Sequence, residues 1–167
     1  SQAFYKLERA GEYLIIDFAV VTLTAPEKFL EPAIHGSNVF YFNKHGVAKY
    51  PSLNREAFAN RLQERAKRLR ARIDMFGSFV QKEINRGNWL EAIDLYHVLT
   101  LGALVEALRM KHKPIHYDFK MRYVHYELPN DVIVKLERLY FVRDEADLQR
   151  KYREASNWFD QTVSEIE

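Results

Sequence analysis

Cysteine is absent from the 167 residues. That removes disulfides, thiolate nucleophiles and Cys-containing metal sites, and it suits a reducing, cytoplasmic compartment. Glycine and proline are few, at 6 and 5, and there is no internal repeat or low-complexity segment. No apolar run reaches the length that spans a bilayer, and the first residues lack the apolar core of a signal peptide. The formal net charge is only +2, so nothing global points to nucleic acid or to a membrane. No HExxH motif, Walker loop, Rossmann glycine fingerprint or GxSxG elbow occurs. What is present is apolar mass: 47% hydrophobic and 14% aromatic residues are enough for a real core and argue against global disorder. The length suits one domain, or a small lobe plus a larger one.

One short stretch, residues 13–21, is apolar or aromatic at every position but Asp17. β-branched and aromatic residues between Gly11 and Pro26 predict a buried strand. A carboxylate buried there without a partner costs several kcal/mol, so it finds one. Asp17 therefore ligates a metal, accepts hydrogen bonds from a neighbouring loop, or sits on an exposed part of one face.

Around that strand the pattern predicts a small β unit. Residues 3–9, with Phe4, Tyr5 and Leu7, read as a strand that pairs with it as a hairpin. Residues 30–36 form a turn with at most a short helix. Residues 39–42 and 47–50 flank a turn at Gly46 and predict a second hairpin. The period then changes. Apolar residues from Phe58 to Ile84 recur in steps of three and four, which predicts one long helix over 54–86, capped by Asn54 and ended by Gly87. A second helix from Asn88 to about Lys111 is apolar nearly all round and is expected at the centre of a bundle. Pro129 starts a third helix to about Tyr140. Asp144 and Asp147 start a fourth, whose buried face runs from Leu148 to Ile166. The expected architecture is α+β, mainly α: two hairpins over residues 1–51, followed by a four-helix bundle over residues 52–167.

Several polar groups stand out against this pattern. Arg61, Arg65, Arg68 and Arg72 line one side of the long helix, with Lys67 and Arg70 beside them. Guanidinium forks match phosphate oxygens; the alternative is a solvated face paired with Glu64 and Asp74. Glu91 and Asp94 lie on the first turn of the second helix. Either could act as a general base or hold a cationic group, although a capping box with Asn88 also explains Glu91. Arg109 and His116 have the Arg-x6-His spacing of HEPN-type ribonucleases, with His116 beyond Pro114 and so outside the helix. Lys111, His112 and Lys113 fit a basic helix C-terminus favoured by the dipole. The long aromatic and charged connection over 114–128, with Arg122 in it, has the character of a functional loop.

Residues 12–21 resemble the strand that carries the third metal-binding carboxylate in small nucleotidyltransferases of the DNA polymerase β superfamily. Residues 30–36 and 40–46 are similar to the segments downstream of that strand in bacterial and archaeal members. Residues 119–129 and 148–159 are similar to the C-terminal helical region of aminoglycoside-type nucleotidyltransferases. The family's Gly-Ser turn followed by Asp-x-Asp, upstream of the third carboxylate, is not present. Gly36-Ser37 and Gly77-Ser78 both lie downstream of Asp17, and no Asp-x-Asp occurs. With no initial Met and a start already inside a strand, the chain is expected to lack an N-terminal segment that bears those residues.

The resemblance implies transfer of a nucleoside monophosphate from an NTP to a small-molecule acceptor hydroxyl, with Mg²⁺ and in-line attack. Asp17 would ligate the metal and orient the hydroxyl. Glu91 would assist catalysis, and Arg65, Arg68, Lys113 and Arg122 would bind the nucleotide or acceptor. One carboxylate cannot hold two Mg²⁺ ions, so this chain alone is expected to be inactive. An exposed sheet edge makes a homodimer an expectation as well. The alternatives are a non-catalytic helical interaction module of toxin–antitoxin type and a HEPN-like ribonuclease.

Overall fold

The computed structural model describes residues 1–25, 28, 30–46 and 49–166. These fall into two compact units, Ser1–Leu53 and Asn54–Glu167.

The first unit holds a single hairpin. Strands β1 (Gln2–Lys6) and β2 (Ile15–Ala19) pair antiparallel, with Phe4 opposite Asp17 and Tyr5 opposite Ile16. The hairpin is the one expected, but its second strand is not buried. Every residue of β2 is exposed, with Ile15 at 62% and Phe18 at 55%. A two-stranded ribbon has no layer of its own to cover either face, so alternation of side chains leaves both wet. The short helix α1 (Pro32–His35) is the single turn foreseen at residues 30–36. The second hairpin does not form over its described part: residues 39–42 are irregular, while Val47 and Ala48 of its other arm lie outside the described residues.

The second unit is helical. Its elements are α2 (Arg55–Phe76), α3 (Ser78–Arg86), α4 (Trp89–Leu95), a π-helical segment Tyr96–Leu101, α5 (Gly102–His112), a 3₁₀ turn Pro114–His116, α6 (Val124–Glu127), α7 (Asn130–Tyr140) and α8 (Glu145–Ser164). Four helices therefore understate the count. The long helix expected over 54–86 divides at Gly77. The Gly77 N–H donates to Ile73 O at 2.7 Å, and a Cβ at residue 77 would lie 2.6 Å from that same oxygen. The Gly77 carbonyl instead accepts the Tyr152 hydroxyl of α8 at 3.0 Å. The glycine permits the close turn, and the tyrosine holds it.

Local signals set most helix ends. Asn54 Oδ1 accepts the Ala57 N–H at 3.0 Å, and Asp144 Oδ1 accepts the Asp147 N–H at 2.8 Å. Gly87, at φ 74°, ends α3, with its N–H on Ile84 O and the Asn88 N–H on Glu83 O, as in a Schellman motif. The capping box at Asn88 and Glu91 does not form. The Asn88 amide donates to Glu83 Oε2 at 2.7 Å, because the Schellman turn brings it back over α3.

The central helix is the expected one. From Ala103 to Met110 every residue of α5 but Glu106 is buried. Its buried residues share one core with Leu69 of α2, Val80 and Ile84 of α3, and Leu148, Ala155, Phe159 and Val163 of α8. Leu136 and Leu139 of α7 complete the same core. At about 25 cal/mol per Å² of apolar area, this burial is the main force that holds the unit together. Among the described residues no helix is long and apolar enough to cross a membrane.

Candidate functional site: a basic cleft beside a buried ion-pair network

Arg109 decides the shape of the site. It lies on the buried helix with no exposed surface, in the company of Val105 and Leu108. Its Nη1 donates to Glu127 Oε2 at 2.6 Å, and its Nε donates to Lys120 O at 2.6 Å. It also donates to the carbonyls of His116 and Arg122. The other Glu127 oxygen meets His116 Nδ1 at 2.5 Å. The His116 ring stacks on Phe119, with centroids 4.1 Å apart and planes 5° from parallel. Burial works to raise the Glu127 carboxyl, but the hydrogen bonds from Arg109 and His116 prevail and hold it below its usual range.

This network folds residues 114–123 into one shape. Lys120 and Tyr123 take left-handed backbone angles, φ 52° and 59°, which cost a non-glycine residue about 1 kcal/mol or more. The Arg109 bonds to Lys120 O and Arg122 O offset that strain. The Arg-x6-His spacing thus has a structural meaning here. Arg109 and His116 are brought together through Glu127, and the guanidinium is enclosed and occupied by loop carbonyls.

The ordered loop closes one side of a cleft of about 670 Å³. Arg65, Arg68 and Arg72 of α2 line the opposite side, and Tyr117, Asp118 and Lys120 come from the loop. The π-helical segment supplies His97 and Val98. A π turn rotates the residues that follow it relative to a plain α-helix, and such turns recur at functional sites. Arg65 is committed to Glu106 in a bidentate pair, at 2.6 and 3.0 Å. Among the described residues, no carboxylate pairs with Arg68, Arg72 or Lys120. Arg68 donates, among the described residues, to Glu64 O of its own helix, at 3.2 Å. The cleft therefore presents free cationic donors of fork and ammonium type to anything that enters.

The other residues singled out in the sequence lie elsewhere. Arg61 stands over the Phe58 ring at 5.3 Å. Lys113 follows the end of α5, where its N–H donates to Arg109 O, and it does not line the cleft. Arg122 places its guanidinium over the rings of Phe119 and Tyr123, at 5.3 and 5.4 Å. Glu91 and Asp94 are exposed on α4 and do not line the cleft. Asp17 is exposed and accepts a hydrogen bond from Gln2 Nε2 at 2.7 Å. Sequence reasoning missed His97, Glu106, Tyr117 and Lys120. Only the reading of the connection over 114–128 as a functional loop pointed towards two of them, Tyr117 and Lys120.

A Mg²⁺ pair needs clustered carboxylate oxygens. Asp17 has an amide donor as its neighbour, and among the described residues no three His, Asp or Glu side chains gather as metal ligands. The residues described do not fit that ion pair. No family model, characterised protein or solved structure matches this chain.

Proposed function

We propose that the helical unit binds a phosphate-bearing small molecule in the cleft between α2 and the loop over 114–123. The observation that carries this reading is the convergence of Arg68, Arg72 and Lys120, none paired with a described carboxylate, on one ordered concavity. Arg forks bind phosphate oxygens in pairs, and the lysine adds a point charge. Glu106 keeps Arg65 from competing and fixes the cleft wall. This is the substrate-binding role that the resemblance to nucleotidyltransferases assigns to a helical region. Under that reading the ligand is the NTP or its acceptor. Nucleotidyl transfer itself would need further carboxylates beside Asp17, and no step is assigned to this chain alone.

Calorimetric titration with inorganic pyrophosphate tests the reading. Binding that weakens as salt rises, and that is lost in Arg68→Glu/Arg72→Glu while the unfolding midpoint holds, supports it. No binding at low salt, or binding indifferent to both substitutions, overturns it.

A second reading, an interaction module, rests on the hairpin. Phe4, Tyr5, Ile15 and Phe18 are each more than half exposed on a ribbon to which, among the described residues, no third strand pairs. Self-association that Phe18→Lys abolishes favours it. A monomer at high concentration, unchanged by that substitution, removes the case for self-association.

A further inference from the structure

A second hollow lies against the basic cleft. It measures about 420 Å³ and is lined by Val124, His125, Ile133, Leu136, Glu137 and Phe141. His97, Met121 and Tyr140 line both hollows. Tyr140 contacts both of the others where the two hollows adjoin. The Tyr140 hydroxyl donates to Met121 Sδ at 3.5 Å. The His97 ring stacks on Tyr140, with centroids 5.5 Å apart and planes 17° from parallel, and His97 Nε2 lies 3.2 Å from Tyr140 O.

The two hollows differ in chemistry. The cleft offers Arg68, Arg72 and Lys120 against the carboxylates of Asp118 and of Glu106, the latter paired with Arg65, whereas the second hollow offers mainly aliphatic side chains and aromatic faces. The carboxylate among the lining residues of the second hollow is Glu137, which repels a second anion. A ligand that reaches both must therefore place its anionic end in the cleft and an uncharged, flat body in the second hollow. Both volumes fall within the range of small-molecule sites.

Resting on the phosphate reading of the cleft, we propose that the ligand is an organic phosphate with an aromatic body: the phosphate is held by Arg68, Arg72 and Lys120, and the ring is seated between Tyr140, Phe141 and Ile133. A bare polyphosphate or a sugar phosphate fills only half of such a site.

The test compares inorganic phosphate, 1-naphthyl phosphate and 1-naphthol on the full chain and on two variants. Phe141→Ala removes a ring that is mostly exposed, so the fold is retained, and Arg68→Glu acts in the cleft alone. Naphthyl phosphate is expected to bind about tenfold tighter than phosphate, the scale of one ring stacked on aromatic side chains. Phe141→Ala should erase that gain and leave phosphate binding unchanged, while Arg68→Glu should weaken both anions. Equal binding of phosphate and naphthyl phosphate overturns the aromatic site and leaves the cleft standing. A gain that persists in Phe141→Ala also overturns it. If phosphate does not bind and naphthol binds as tightly as its phosphate, the cleft reading fails and the joined site fails with it.

Discussion

Arg109 and Glu127 form an ion pair at 2.6 Å in which the arginine side chain has no exposed surface and the glutamate only 13%. They come from α5 and from the last residue of α6, eighteen positions apart. Their pairing fixes where the chain between them runs, and that chain forms one wall of the basic cleft. Stability and the shape of the cleft are thus linked through one contact.

Arg109→Met should destabilise the helical unit by about 3–5 kcal/mol, because it leaves Glu127 with His116 alone and takes the guanidinium away from the carbonyls of Lys120 and Arg122. Arg109→Lys should recover little of the loss, since one ammonium cannot reach groups that the planar fork serves together. Urea unfolding followed by circular dichroism measures both. A loss below about 1 kcal/mol for Arg109→Met, the scale of a surface ion pair, would remove the central role given to this contact.

Acid should weaken the same network. The folded-state pKa of Glu127 lies below its ordinary value, so its contribution is complete above the unfolded-state value of about 4.3 and is lost as pH falls from there through the folded value. Asp147 behaves alike, held down first by the hydrogen bond from Lys151, against burial, and then by Arg150 and the Arg143 N–H. Unfolding midpoints measured from about pH 7 to about pH 3 should therefore fall below about pH 5. Glu127→Gln should start lower at neutral pH and fall less steeply. Parallel curves for the two proteins would show that Glu127 is not a source of the acid sensitivity.

Gly77→Ala should be destabilising by about 1–3 kcal/mol, despite the better helix propensity of alanine, because the new methyl would press on Ile73 O. Tyr152→Phe should cost about 1 kcal/mol through loss of its bond to Gly77 O. Thermal melts of the two variants check this. A gain in midpoint for Gly77→Ala would mean that the break between α2 and α3 is not sterically required.

Lys120→Gly separates stability from binding. Glycine relieves the left-handed backbone angle, so stability should hold or rise by up to about 1 kcal/mol. The same change removes an ammonium from the cleft, so pyrophosphate should bind more weakly. A variant that binds as tightly as the parent would place Lys120 outside the site.

Much of the helical unit could be read without coordinates. The steps of three and four from Phe58 to Ile84, the caps at Asn54 and Asp144 and the stop at Gly87 are local, and each works through backbone groups a few residues away. The apolar girdle of residues 93–108 likewise required a central helix. Gly77 was visible as a residue but not as a break, because the bond that holds the break comes from Tyr152, seventy-five positions later.

The site depended on long-range packing. A charge inside an apolar stretch does need a partner when that stretch is buried, and in the sequence Asp17 looks like such a charge. In the structure Asp17 sits exposed on a two-stranded ribbon, and among the described residues the most deeply buried charge is Arg109. An apolar strand and an apolar helix look equally buried in sequence, and only the layers around them settle which one is. The cleft likewise joins α2, a π turn and a strained loop that Arg109 holds by its carbonyls. The sequence by itself determined where most of the helical stretches run, which of their positions are apolar, and that Arg65, Arg68 and Arg72 share one side. Only the tertiary structure decided what that side faces, because Glu106, His97 and Lys120 reach it from elements with no periodic relation to it.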